Sequence, residues 1–192
     1  MRTERDAWSA NGLLTIALLA LLIYLIIINI YEAEFVFAFL FISLIIILLA
    51  GLTIVKPNEA KVIMLFGKYL GTVRNEGLIY TVPFTKRKRI SLKIKTFESE
   101  FSISLSDRFV TIHLILFYKV VDTAKVLFEV EQAEQFIQLQ SETILKSILM
   151  NEEHENPQAE LISDHIKEQF TILLEQKLNR LGIEIADLYI GH

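Results

Sequence analysis

The chain has 192 residues, of which 53% are hydrophobic, with a formal net charge of −4 and no cysteine. The missing cysteine excludes a disulfide framework, a zinc–thiolate site and a thiol nucleophile. A net negative charge makes nucleic acid a poor partner.

Residues 1–12 form a short tail carrying Arg2 and Arg5, and two uncharged apolar runs follow it. Leu13 to Ile30 covers 18 residues and Phe35 to Val55 covers 21, separated by Tyr31, Glu32, Ala33 and Glu34. At the helical rise these reach roughly 27 and 32 Å, against a bilayer core of ~30 Å. Residues 13–55 are therefore expected to form a transmembrane helical hairpin with a tight acidic turn. A cleaved secretory signal would have one shorter apolar core. Buried helices of a soluble protein would carry a polar face, and here Thr15, Asn29 and Ser43 are the main polar interruptions. A shallow re-entrant hairpin is the closer rival, but both arms are long enough to span. Basic residues flank the pair on both outer sides (Arg2, Arg5; Lys56, Lys61, Lys68), and the turn has none. The expected topology puts both ends in the cytoplasm, with the chain crossing the plasma membrane twice.

Residues 56–192 leave enough chain for one compact domain or two small ones. Their charge is split. Lys56 to Arg108 holds 11 Lys/Arg and 5 Asp/Glu, net +6; Phe109 to His192 holds 6 and 14, net −8. The basic half lies next to the membrane, where anionic headgroups attract it.

Residues 60–120 read as strands. Lys61 to Phe66 is a short apolar run. Ile90, Leu92 and Ile94 alternate with polar residues, as do Phe101, Ile103 and Leu105. Val110 to Val121 is a long strand, with Ser106-Asp107-Arg108 as the turn before it. The glycines at 67, 71 and 77 read as turn residues. Asp122 caps a short helix through Val130. Glu131 to Met150 has helical spacing in Ala133, Phe136, Ile137, Ile144, Leu145 and Ile148. Asn156-Pro157 starts a helix to Leu181. Its buried face is Ile162, Ile166, Phe170, Leu173 or Leu174, and Leu181, and Gly182 terminates it. Ile183 to Ile190 returns to strand. Strands, then helices, then a strand favour an α+β fold.

No catalytic, cofactor or metal constellation emerges. His113, His154, His165 and His192 have no HExxH spacing, and Glu152, Glu153, His154 and Glu155 read as a solvated loop between helices. No GxSxG elbow, GxGxxG or phosphate loop is present. Lys86, Arg87, Lys88 and Arg89 follow Pro83-Phe84. They read either as a charged loop or as a lipid-facing edge, with Phe84 and Tyr80 near the headgroups.

From Pro57 to Phe84, "PNEAKVIMLFGKYLGTVRNEGLIYTVPF", the chain resembles the opening of the SPFH (Band 7) domain of stomatin, prohibitin and flotillin relatives. "KRISLKIKTFE" at 88–98, "YKVVDTAKVLFEVE" at 118–131, "QSETILKSIL" at 140–149 and "LNRLGIEIADLYIGH" at 178–192 continue it. The segment "FSISLSDRFVTI" at 101–112 departs from it, being shorter around its turn than the family's usual Asp-Gly-containing hairpin. The resemblance implies an SPFH/Band 7-like domain over 56–192, in a non-enzymatic, membrane-anchored scaffold that self-associates. Relatives organise membrane microdomains and often regulate membrane proteases or channels. The implied partners are membrane lipids and further copies of the chain. Many relatives continue into a charged coiled coil; this chain is either a short member or a fragment of a longer one, and without the coil an oligomer smaller or less stable than their rings is expected. The alternative is an accessory subunit of a membrane protease or transporter that forms no platform. A membrane-bound hydrolase using Ser/His/acid groups is the third class.

Overall fold

The computed structural model describes residues 4–32, 34–105, 108–155 and 164–191. They fall into two units, one of residues 4–91 and one from residue 92 onward.

The first unit is built around two apolar helices. Helix α1 spans Gly12–Tyr31, and the Asn11 side chain accepts the Leu13 N–H at 2.9 Å to cap it. Helix α2 spans Phe35–Gly51. At ~1.5 Å per residue they are roughly 30 and 26 Å long. Their polar residues turn inward on their own backbones. Thr15 donates to the Asn11 carbonyl, Asn29 to Leu25 and Ser43 to Phe39. No polar side chain in these three pairs demands water, which suits an apolar solvent.

The second apolar run does not stay helical to Val55. It leaves the helix at Gly51, and Leu52–Val55 becomes a strand with Thr53 and Val55 buried and Ile54 exposed. The β-branched triplet Thr53-Ile54-Val55 favours this conformation. Hydropathy alone cannot distinguish a buried strand from a helix end.

Six short strands complete the unit: β1 Ser9–Asn11, β2 Leu52–Val55, β3 Glu59–Leu65, β4 Lys68–Val73, β5 Gly77–Thr81 and β6 Lys86–Ser91. They make two antiparallel sheets, ordered β1-β5-β2 and β4-β3-β6. Val55 and Ile79 from the first sheet meet Ile63 and Val73 from the second in a small core, with Ala7 and Leu70 against it. The glycines read as turn residues divide. Gly67 lies in the β3–β4 turn, whereas Gly71 is inside β4 and Gly77 begins β5. Gly71 is there because the N-terminal segment passes over it: an added Cβ would stand 2.6 Å from the Ala7 nitrogen. That segment is pinned beside β4 by Thr72 N–H to the Arg5 carbonyl (2.8 Å) and Ala7 N–H to the Thr72 carbonyl (3.0 Å). Arg74 grips Glu4 through two nitrogens at 2.6 and 2.8 Å. Residues 4–11 are thus part of the folded unit rather than a loose tail.

The second unit is the α+β body. Strands β7 Lys95–Leu105, β8 Arg108–Val120 and β9 Ile183–Gly191 form one antiparallel sheet with β8 in the centre. Helices α3 Thr123–Glu129, α4 Ala133–Glu155 and α5 Asp164–Arg180 accompany it. The alternation read at Phe101 and Ile103 continues through the strand pair, with Phe97, Ile112, Leu114, Leu116 and Tyr118 on the same core face. Ile137, Leu145 and Ile148 of α4 and Ile166, Phe170, Leu174 and Leu178 of α5 fill the other side. The α5 stripe uses Leu174; Leu173 is exposed. Asp122 caps α3 by accepting the Lys125 N–H at 2.9 Å. Gly182 ends the last helical segment at φ +78°, and an added Cβ would meet the Asp122 Cβ at 2.5 Å. The charged stretch 152–155, read as a loop, is the end of α4. The turn at Ser106-Asp107 and the helix start at Asn156-Pro157 lie outside the described residues.

Candidate membrane interface

Strand β5 organises the base of the hairpin. One side pairs with β1, the three residues just before α1, and the other with β2, the four just after α2. The chain therefore leaves for the hairpin and returns from it at a single strand. Glycines allow both helix ends to sit this close. A Cβ on Gly12 would come 2.6 Å from the Leu78 carbonyl oxygen, and one on Gly51 would clash with the Tyr80 ring. The Tyr80 ring meets Trp8 edge to face, with centroids 6.1 Å apart and planes at 88°. Trp8 is 63% exposed, and its carbonyl accepts the Thr81 hydroxyl. An exposed Trp paired with a Tyr at the end of apolar helices is the chemistry of a membrane–water boundary.

The basic run is a strand, not a loop. In β6, Lys86 to Arg89 pair with Met64 to Lys61 of β3. Opposed residues in an antiparallel pair share a face, so Arg87 and Arg89 join Lys61 and Ile63 on one side. Lys86 and Lys88 lie on the other side and are exposed. The four charges thus do not form one patch. Arg87 reaches back to the hairpin, donating Nη2–H to the Ala50 carbonyl at 2.5 Å and Nη1–H to the Leu52 carbonyl at 2.8 Å. It supplies donors where the end of α2 leaves carbonyls without intrahelical partners. Burial lowers its pKa, yet a guanidinium stays charged. Arg89 pairs loosely with Glu59 at 3.6 Å. Phe84 is exposed at φ +59°, in a turn where the Thr85 hydroxyl donates to the Val82 carbonyl.

Two functional candidates escaped the sequence reading. Trp8 precedes α1 by four residues, and its place beside an apolar run was a usable signal. Lys61, read from sequence only as a basic flank of the hairpin, gains its cationic neighbours when β3 pairs with β6. Its ammonium donates to the Thr53 hydroxyl at 2.5 Å, beside a shallow depression lined by Leu52, Ile54 and Leu78. Burial holds Lys61 below the usual lysine range; Arg87 adds to this, Glu59 opposes it, and Arg89 adds again. Among the described residues no three His, Asp or Glu side chains stand together as a metal site.

The profile of the SPFH domain / Band 7 family matches residues 53–192. The chain belongs to the SPFH domain / Band 7 family. The resemblance read from Pro57 onward therefore holds, and the SPFH match opens inside β2. The strap of residues 4–11 and helices α1 and α2 precede the matched SPFH region, although β1 completes a sheet with its strand β5. The chain is also similar to an uncharacterized protein of Archaeoglobus fulgidus, 25% identical over 154 residues. That alignment covers 79% of this chain and 61% of the relative.

Proposed function

We propose that this SPFH chain is a membrane-anchored scaffold whose apolar hairpin crosses the bilayer twice and whose SPFH domain lies on the cytoplasmic leaflet. The observation that carries the reading is the pairing of β5 with both β1 and β2, which brings the two hairpin ends to one sheet. Helix α1 is long and apolar enough to span. Helix α2, at roughly 26 Å, is short for a ~30 Å core. The half-exposed Leu52 and exposed Ile54 extend its apolar surface past Gly51. The aromatic pair Trp8–Tyr80 and the Arg87 cap then sit at headgroup level. The basic flanks and the acidic residues Glu32 and Glu34 favour the cytoplasmic side for the sheet. In this reading copies of the chain associate to organise membrane microdomains or to regulate membrane proteins, with no catalytic step of their own.

The accessory-subunit reading has one observation in its favour. The outer face of the β7-β8-β9 sheet exposes Ile115 and Tyr189, and Tyr189 stacks edge to face on Phe117 at 6.2 Å. Such a face suits contact with another protein.

Single cysteines at the exposed positions Asp6, Glu32 and Asn75 test the topology. In intact cells an impermeant thiol reagent should label Glu32→Cys alone, and permeabilisation should add the other two. Labelling of Asp6→Cys and Asn75→Cys but not Glu32→Cys would overturn the orientation. Labelling of all three would point to a hairpin that does not span.

A further inference from the structure

The face of β3 and β6 that looks toward the hairpin base holds an unfavourable charge arrangement. Lys61 and Arg89 are direct cross-strand partners, and Arg87 is one pair away on the same face. Like charges directly opposed across strands destabilise a sheet. Glu59 answers only in part, through its loose 3.6 Å contact with Arg89. Three cations against one carboxylate leave an excess of two positive charges. Each Arg87 nitrogen already donates, to Thr85, Leu52 and Ala50. Lys61 is different. Its ammonium has three N–H donors, and the described bond to Thr53 uses one. Arg89 has a side chain that is 63% exposed. The Thr53 oxygen accepts from Lys61, which leaves its hydroxyl hydrogen to donate elsewhere.

We propose that Lys61, Arg89 and Thr53 form a binding site for a phosphomonoester dianion carried by a lipid headgroup. The dianion matches the excess of two charges, and the Lys61, Arg89 and Thr53 donors suit phosphate oxygens. The surroundings select a lipid source over a free anion. The depression beside Lys61 is walled by Leu52, Ile54 and Leu78, and Leu52 directly follows the last residue of α2. An acyl chain along α2 would place its headgroup beside these residues. The desolvation and like charge that hold Lys61 down are relieved when a dianion arrives. This inference rests on the membrane reading above and sharpens it. Headgroup recognition belongs to Lys61 and Arg89, not to the whole run from Lys86 to Arg89. Lys86 and Lys88, on the opposite face, take no part.

The test uses the full chain in phosphatidylcholine nanodiscs, with a minor fraction of phosphatidic acid as the monoester probe. Lipid retention is read by native mass spectrometry. Wild type should retain phosphatidic acid over phosphatidylcholine. Lys61→Gln should reduce that preference about fivefold, as one basic residue near an anionic surface would. Lys61→Arg should keep most of it, which separates charge from folding, and the double variant Lys86→Gln/Lys88→Gln should keep it too. Undiminished preference in Lys61→Gln, or an equal loss in the Lys86/Lys88 variant, would overturn the site. A separate arm adds inorganic phosphate at matched concentration. If it displaces phosphatidic acid, the anion is not lipid-borne and the proposal falls. If the chain does not enter the bilayer, flotation will show that first, and the membrane reading fails. The site is then judged in detergent by short-chain phosphatidic acid: binding lost in Lys61→Gln supports it, and no binding overturns it.

Discussion

The Arg87 guanidinium closes the end of α2 by donating to the Ala50 carbonyl at 2.5 Å. A residue of the matched SPFH region thereby terminates a helix that precedes that region, so the hairpin and the small sheets share one set of hydrogen bonds. Charged hydrogen bonds of this kind contribute about 1.5–3 kcal/mol, and truncating Arg87 leaves helix-end carbonyls unanswered. Arg87→Gln is expected to lower stability by about 1–3 kcal/mol, as measured by denaturant unfolding in detergent. Arg87→Lys should recover less than half of the loss, because an ammonium cannot present the planar fork. Lys88→Gln, on the exposed opposite face, should change stability by less than ~0.5 kcal/mol.

Helix α5 offers a test of helical phase. The sequence left Leu173 and Leu174 as alternatives for one core position. The structure buries Leu174 with Ile166, Phe170 and Leu178 and leaves Leu173 42% exposed. Leu174→Ala should cost about 2–5 kcal/mol through lost burial and a residual cavity. Leu173→Ala should stay within ~0.5–1 kcal/mol. Thermal unfolding of the two variants decides it, and equal losses would mean that the helix is rotated.

Most of what was legible in the sequence followed periodicity, with one failure: the alternation of Ile90, Leu92 and Ile94 reads as a strand, yet β6 ends at Ser91 and β7 begins at Lys95. The alternation in β7 and the stripes of α4 and α5 at helical spacing made much of the second unit readable, whereas β8 is apolar on both faces (Leu114, Ile115, Leu116, Phe117) and β9 changes phase between Ile185 and Leu188. The two apolar runs were equally plain. The illegible parts are those that tertiary pairing decides. Strand β1 is three residues long and carries no pattern. Strand β4 contains Gly71, which exists to admit Ala7 and so looks like a turn residue. The run Lys86 to Arg89 has no hydrophobic period, and its strand state comes from pairing with β3. Lys61 gains its meaning only when that pairing sets Arg89 opposite it.

Lys61 gives a pH-dependent signature. Its folded pKa lies below the ordinary lysine value of 10.5, chiefly through burial, then through Arg87. The unfolded chain therefore binds more protons than the native one between the depressed value and 10.5. Stability from this group rises with pH across that window. In Lys61→Met the rise should vanish, and the variant should be the more stable of the two below the window. Other alkaline groups, such as the raised Tyr118 hydroxyl, contribute to both proteins and cancel in the difference. Denaturant midpoints for both proteins in detergent without anionic lipid, followed from neutral to alkaline pH, provide the measurement. Parallel curves would show that Lys61 is solvated as freely in the folded state as in the unfolded one.

Self-association is expected to run through opposite charge. The outer face of the β7-β8-β9 sheet carries Glu98 and Glu100 on β7 and Asp187 on β9, around the apolar Ile115 and Phe117. Lys86 and Lys88 stand exposed on β6. A contact between the acidic face of one copy and the basic strand of the next is head to tail, and such contacts close into rings or run into open arrays. Exposed ion pairs are individually weak and screened beyond ~10 Å at 0.1 M salt, so crosslinking in membranes should fall as salt rises. Glu98→Lys/Glu100→Lys should reduce crosslinked oligomer at low salt, and so should Lys86→Glu/Lys88→Glu. Mixing the two double variants should restore it, because the reversed faces again complement each other. Loss in both without recovery on mixing would assign the contact to other surfaces. A monomer under every condition would leave the accessory-subunit reading in place of the scaffold.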